Sequence, residues 1–157
     1  MEIELVVDVV EAPYPCTFVY DDADKAINPQ WAVPAPVRSG HAICAGTLIF
    51  DLGTDDNIID CWGYFPKEQW AAPRVAPIPI AAPGRVCVRA SEPLVPGVSP
   101  RIEGSEGWSA YSIVGTPWVQ FGETLQLESD SDVLVADGFI CCLKKGRMVG
   151  VWLLIEK

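Results

Sequence analysis

Apolar and acidic side chains alternate at the start of the chain. Ile3, Leu5, Val7 and Val9 fall on one face, while Glu2, Glu4 and Asp8 fall on the other. That period of two marks a half-buried strand with its odd face inward. A second short strand is predicted over residues 16–20. It ends in the acidic stretch Asp21, Asp22 and Asp24, and a turn or short helix is expected from there to Trp31. Pro34 and Pro36 disfavour regular structure up to about Gly40. From His41 to Leu52 the even positions Ala42, Cys44, Gly46, Leu48, Phe50 and Leu52 are apolar or small. This predicts one strand whose even side faces the core. The turn Gly53-Thr54-Asp55-Asp56-Asn57 returns the chain into residues 58–65, whose β-branched and aromatic content predicts a hairpin partner.

Two further strands are predicted over residues 74–80 and 85–90, hinged at Pro83-Gly84. Prolines at 73, 77 and 79 place the first of them at a sheet edge. Residues 91–107 read as a long surface loop. Strands resume at 108–114, 118–128, 133–136 and 139–143, and a basic turn over residues 144–147 leads into a last strand. No stretch carries the helical period beyond about ten residues. The pattern predicts one all-β domain over residues 1–157, an antiparallel β-sandwich, with a jelly roll or barrel as the alternative.

Composition narrows the functional classes. Half of the residues are apolar and a fifth are charged, as in ordinary globular proteins. The longest apolar run, residues 148–155, is far short of the ~20 residues of a membrane-crossing helix. Acid stands at the amino terminus where a secretory signal carries base, so the expected location is cytoplasmic. The six cysteines, at 16, 44, 61, 87, 141 and 142, lack the dense spacing of a disulfide scaffold and read as reduced thiols. A net charge of −10 opposes direct nucleic-acid binding and favours a basic protein partner.

Candidate chemistry is sparse. His41 is the only histidine, and the sequence contains no Gly-x-Ser-x-Gly elbow, phosphate loop or dinucleotide fingerprint. Strand parity sends His41 and Cys44 to opposite faces and does the same to Cys141 and Cys142, so neither pair predicts a metal site. No cofactor is expected. Cys87 lies between Arg85 and Arg89 on one strand face, and neighbouring cations lower a thiol's pKa, which makes a thiol-dependent enzyme one alternative. The acids gather in turns: Asp21, Asp22 and Asp24; Asp51, Asp55, Asp56 and Asp60; and Glu128, Asp130 and Asp132. Asp21, Asp22, Asp24, Asp55 and Asp56 can form an acidic rim around aromatic anchors at Trp31 and Trp70, the composition of an interface for a basic partner.

Between Cys16 and Ala90 the order of features resembles the competence protein J family of small cytosolic nuclease inhibitors. The resemblance is carried by Thr17-Phe18-Val19, Trp31, Gly40-His41-Ala42, Gly46 and Phe50, then Pro79-Ile80 and Val86-Cys87-Val88. It covers less than half of the chain, and the carboxy-terminal half departs from it. It implies a β-sandwich acting as an inhibitor or immunity-type protein, here one that neutralises a basic enzyme such as a nuclease toxin. A small-molecule-binding β-barrel or jelly roll is the other alternative, prompted by the strand-and-glycine run from Gly122 to Gly138.

Overall fold

The computed structural model of the chain describes residues 1–123 and 128–156. Its strands in chain order are β1 (Ile3–Val9), β2 (Cys16–Asp21), β3 (Ala26–Trp31), β4 (Arg38–Ala45), β5 (Leu48–Gly53) and β6 (Ile58–Tyr64), followed by β7 (Ala82–Ala90), β8 (Ser109–Ser112), β9 (Trp118–Gly122), β10 (Ser131–Ala136), β11 (Phe139–Lys144) and β12 (Arg147–Glu156). Helical structure among the described residues is limited to single 3-10 turns at Lys67–Gln69 and Ser105–Gly107. The protein is therefore almost all β, as the alternation of its sequence predicts.

Ten strands follow one path in the order β1-β7-β10-β11-β12-β2-β3-β6-β5-β4, and the hairpin β8–β9 branches from β12. The path curls into a half-barrel, in keeping with the barrel alternative. Most joints are antiparallel, but β10–β7 and β12–β2 are parallel, so the sheet is mixed. A sandwich would divide these strands between two facing sheets, whereas β12 links them. β11 flanks β12 as far as Leu153, β9 runs along Gly150 to Leu154, and β2 joins at Ile155 and Glu156.

The main core collects buried side chains from both ends of the path, including Leu5, Phe18, Ile27, Phe50, Val86, Phe139 and Leu153. Phe139 is central, with ring centroids 6.1 Å from Phe18 and 6.0 Å from Phe50. A second cluster of Ile113, Ile140, Cys142 and Trp152 lies on the opposite face of β11 and β12. The sheet is thus buried on both sides there, and Cys141 and Cys142 enter different cores, as strand parity requires.

Residues 74–80 cover that second cluster, which corrects the expected edge strand. Ala76 and Ile78 pack on the cluster, and among the described residues the segment's one ladder contact is the bridge between Arg74 and Ile113. Prolines at 73, 77 and 79 lack the N–H a strand would donate, so the segment is a strap. Pro83 and Gly84 are not a hinge but lie within β7, where a Cβ on Gly84 would meet Val133 at 2.7 Å and the Asp8 carbonyl at 3.2 Å.

The expected turn or short helix before Trp31 is the strand β3. Asp21 Oδ1 accepts hydrogen bonds from the N–H groups of Ala23 at 2.8 Å and Asp24 at 3.1 Å. Lys25, at φ 53°, completes a tight reversal. The single strand expected over 41–52 is the hairpin β4–β5, turned at Gly46 with φ 57°. The core side consequently changes parity, with Ile43 and Ala45 inward before the turn and Leu48, Phe50 and Leu52 inward after it. Val9, expected inward, is 87% exposed at the end of β1. The strand expected over 118–128 is β9 as far as Gly122, and residues 124–127 lie outside the described residues.

Gly63 fixes how closely β5 and β6 approach. A Cβ there would lie 2.1 Å from the backbone oxygen of Thr47, whose hydroxyl donates to the Tyr64 carbonyl. Because backbone cannot yield as a side-chain tip can, Gly63→Ala is expected to destabilise the fold by about 3 kcal/mol. Equilibrium urea unfolding checks this, and an unchanged midpoint would show that the strands tolerate greater separation.

Candidate site: an aromatic face built on a buried carboxylate

β6 carries an acid in an apolar strand, Ile58-Ile59-Asp60-Cys61-Trp62-Gly63-Tyr64. The ladder with β5 is irregular before this point: Leu52 pairs with Ile58, whereas Asp51 pairs with Asp60. Ile59 is the extra residue. Such a bulge re-aims the side chains beyond it, here setting Asp60, Trp62 and Tyr64 on the face opposite Cys61 and Gly63. On the other side the ladder between β3 and β6 ends at Ile27–Gly63. Beyond it the side chains of Trp31, Arg38 and Asp60 meet.

Asp60 has no exposed surface. Arg38 grips it with two parallel bonds, Nη1 to Oδ1 and Nη2 to Oδ2, each 2.8 Å. The Trp31 indole N–H donates to Oδ2, also at 2.8 Å. Arg38 Nη1 reaches Asp51 Oδ2 at 3.0 Å, and the Trp62 indole donates to the same oxygen at 3.1 Å. One guanidinium therefore bridges two carboxylates, and each carboxylate orients one indole. Bidentate geometry of this kind gives strong, directional bonds.

The electrostatics follow from burial. Hydrogen bonding to Asp60 raises the Arg38 pKa above its ordinary value, keeping it charged. Asp51 is raised by burial first and by the Asp60 charge second, with Arg38 and Trp62 opposing the shift. Burial and then Asp60 push the Cys16 thiol up to about 12, and the same two causes raise Cys61. These thiols are packing groups. The guanidinium directs both Nη1 bonds and one Nη2 bond to its two acids, so the network acts as a mount for the indoles.

The mount presents two aromatic rings. Trp62 is 41% exposed and Tyr64 is 55% exposed on the same face of β6. Tyr64 pairs with Ala26, which pairs with Asp21, so the Asp21–Asp24 turn borders the rings. Asp22 and Asp24 are exposed there, beside the ion pair of Lys25 and Glu68 at 2.6 Å.

The other acids expected at an interface lie elsewhere. Asp55 and Asp56 occupy the turn at the opposite end of β6, a strand length of roughly 20 Å away. Asp56 Oδ1 accepts from His41 Nδ1 at 2.9 Å, and the Asp56 carbonyl accepts from the N–H of Val88. The two expected aromatic anchors turn inward. Trp31 is held by Asp60 and contacts Tyr14 edge-on, while Trp70 donates to the Phe65 carbonyl at 3.0 Å and packs on Tyr20 and Phe121. Sequence reasoning missed Arg38, Asp51, Asp60, Trp62 and Tyr64 as a site. The available signal was Asp60, an acid at the centre of an apolar strand.

Cys87 has the opposite chemistry to that expected. Burial comes first and Asp8 second, with Asp8 Oδ2 lying 3.6 Å from Sγ, and together they push the thiol up to about 11. Arg89 opposes the shift but is outweighed. All six cysteines are free thiols. Among the described residues no group of three His, Cys, Asp or Glu side chains converges as metal ligands, and no helix is long and apolar enough to cross a membrane.

Fold and site together define an all-β half-barrel with a preorganised aromatic face. No protein-family model, curated protein or solved structure matches the chain.

Two measurements probe this chemistry. Arg38→Ala strands a buried carboxylate and is expected to destabilise the protein by about 3 kcal/mol; adding Asp60→Asn should recover much of that loss, whereas independent, additive effects would exclude coupling. Alkylation of Cys87, resolved by mass spectrometry, should accelerate about tenfold per pH unit through pH 9 and 10. A plateau below pH 9 would contradict the raised thiol.

Proposed function

We propose that the protein is a non-enzymatic binding protein that docks its outer β6 face on a basic protein and occludes it. The observation that carries this reading is the exposed pair Trp62 and Tyr64, the first held by its indole bond to Asp51 and the second bordered by the Asp21–Asp24 turn. Aromatic side chains supply large contact area at low conformational cost, and binding energy at interfaces concentrates in such anchors. Fixing the Trp62 indole beforehand reduces the ordering penalty on association.

Charge selects the partner. A chain at −10 accelerates encounter with a cationic surface, and an acidic border discriminates against acidic competitors. An enzyme that works on a polyanion has a basic mouth, which such a face would complement. The resemblance of residues 16–90 to competence protein J makes a nuclease the candidate enzyme. On this reading the working compartment is the cytoplasm, and Asp55 and Asp56 serve the fold rather than the interface.

Pull-down of the tagged protein from its own cell lysate, at low and high salt and read by mass spectrometry, tests the proposal. The expected result is one basic protein, weakened at high salt. Its retention should fall at least about tenfold with Trp62→Ala/Tyr64→Ala, fall less with Asp21→Asn/Asp22→Asn/Asp24→Asn, and stay unchanged with Asp55→Asn. Capture that survives loss of both rings in a folded variant would reject the face, and an acidic partner would reject the charge argument.

A further inference from the structure

The curl of the sheet leaves a seam. β4, one end of the strand path, is covered by the segment around Arg101: the Cys44 N–H donates to the Pro100 carbonyl at 3.0 Å, and the Ile102 N–H donates to the Cys44 carbonyl at 2.8 Å. β1, the other end, receives the turn between β11 and β12, with its Leu5 N–H donating to the Gly146 carbonyl at 2.8 Å. Between these covered edges lies a cleft of about 480 Å³, bounded by β1, the end of β7, residues 101–103 and the start of β12. Its size falls in the range of small-ligand sites, about 300–1,000 Å³.

The lining of the cleft is chemically specific. Leu5, Ile102 and Met148 give it an apolar floor, each less than a tenth exposed. Arg89, Arg101 and Arg147 stand around it, three cations in a chain that has only 11 Lys and Arg in all. Arg147 is paired with Glu103 at 3.0 Å. Among the described residues Arg89 and Arg101 make no ion pair, and neither do Glu2 and Glu4 on the β1 side. Glu4 faces Arg89 across the β1–β7 ladder, and the cleft therefore offers charge of both signs, not closed into ion pairs, above an apolar floor. Its acids disfavour a phosphate-rich ligand, and its arginines disfavour a simple cation.

We infer that the seam cleft binds a small zwitterion with an apolar body, either an apolar α-amino acid or a short apolar peptide with free ends. The ligand carboxylate lies toward Arg89 and Arg101, its ammonium toward Glu2 and Glu4, and its side chain over Leu5, Ile102 and Met148. This site is separate from the aromatic face and does not depend on the function proposed for that face.

Isothermal titration with L-leucine, leucyl-leucine, N-acetyl-leucine and leucinamide tests the inference on the full chain. At least one of the two zwitterions should bind, and whichever binds more tightly identifies a free amino acid or a peptide as the source. Removing either end charge should weaken binding about tenfold or more. Arg89→Ala/Arg101→Ala should abolish the heat of binding, while Trp62→Ala/Tyr64→Ala should leave it intact. Glu2→Gln/Glu4→Gln, which alters charge with little change of shape, should shift preference toward N-acetyl-leucine and keeps the test informative if the arginine variant fails to fold. No binding of either zwitterion at about 10 mM, or equal binding of all four probes, would overturn the inference.

Discussion

A carboxylate with no access to water must be answered by positive charge and hydrogen-bond donors, and Asp60 imposes that requirement on one whole end of the sheet. The answers come from two other strands, Trp31 from β3 and Arg38 from β4, and the arginine is shared with a second acid, Asp51 of β5. Each element has to arrive in one register for the bonds to close. The ladder between β4 and β5 is irregular between Arg38 and Ala42, and the ladder between β5 and β6 is irregular beside Asp51. Both irregularities flank the network. A buried ion pair adds little net stability compared with a hydrophobic packing of the same volume. Its consequence here is placement, because the same bonds that satisfy Asp60 and Asp51 hold the two indoles.

Placement explains the division between inward and outward tryptophans. Trp31 spends its N–H on Asp60 and its ring on Tyr14, whereas Trp62 spends only its N–H, on Asp51, and leaves much of its ring in solvent. Tyr64 follows two residues later on the same face without a ring partner among the described residues. An exposed ring on a rigid sheet differs from a ring on a loop in the entropy that binding must remove. The buried carboxylate and the exposed aromatics are thus parts of one device, although one is invisible from solvent and the others are invisible to the core.

Much of the fold was legible because strand alternation is local. The period of Ile3, Leu5 and Val7, the β5–β6 hairpin, and the opposed cysteines of β11 all follow from parity. Local signals failed where a turn reverses parity or a non-local contact decides. Gly46 reads as a small residue in a strand until its φ of 57° makes it a hairpin turn. Pro77 and Pro79 read as edge residues, but the sheet face that Ala76 and Ile78 cover is created by β9, β11 and β12, more distant in sequence. The site was legible only in part. The acids of the Asp21 turn are evident from composition, but Trp31 and Trp62 look equivalent in sequence. Cys87 shows the same limit from the electrostatic side: its sequence neighbours are arginines, while its pKa is set by burial and by Asp8 on the adjacent strand β1.

The seam follows from the same economy of strands. An unpaired strand edge is a template for association, so proteins cover or close it. Direct pairing of β1 with β4 would have closed the half-barrel and filled the gap with backbone ladder. Instead β4 takes a bridge from the Arg101 segment and β1 takes a bond from the Gly146 turn. Each edge is satisfied by a different piece of irregular chain, and irregular chain does not carry the inward apolar alternation of a strand. Charged residues from the ends of β1, β7 and β12 can therefore surround the opening while the core residues beneath it stay apolar. Covering edges in this way produces an amphipathic cleft where a closed barrel would have none, and β4, which gives Arg38 to the Asp60 network, carries on its other edge the 100–102 segment whose residues 101 and 102 line that cleft.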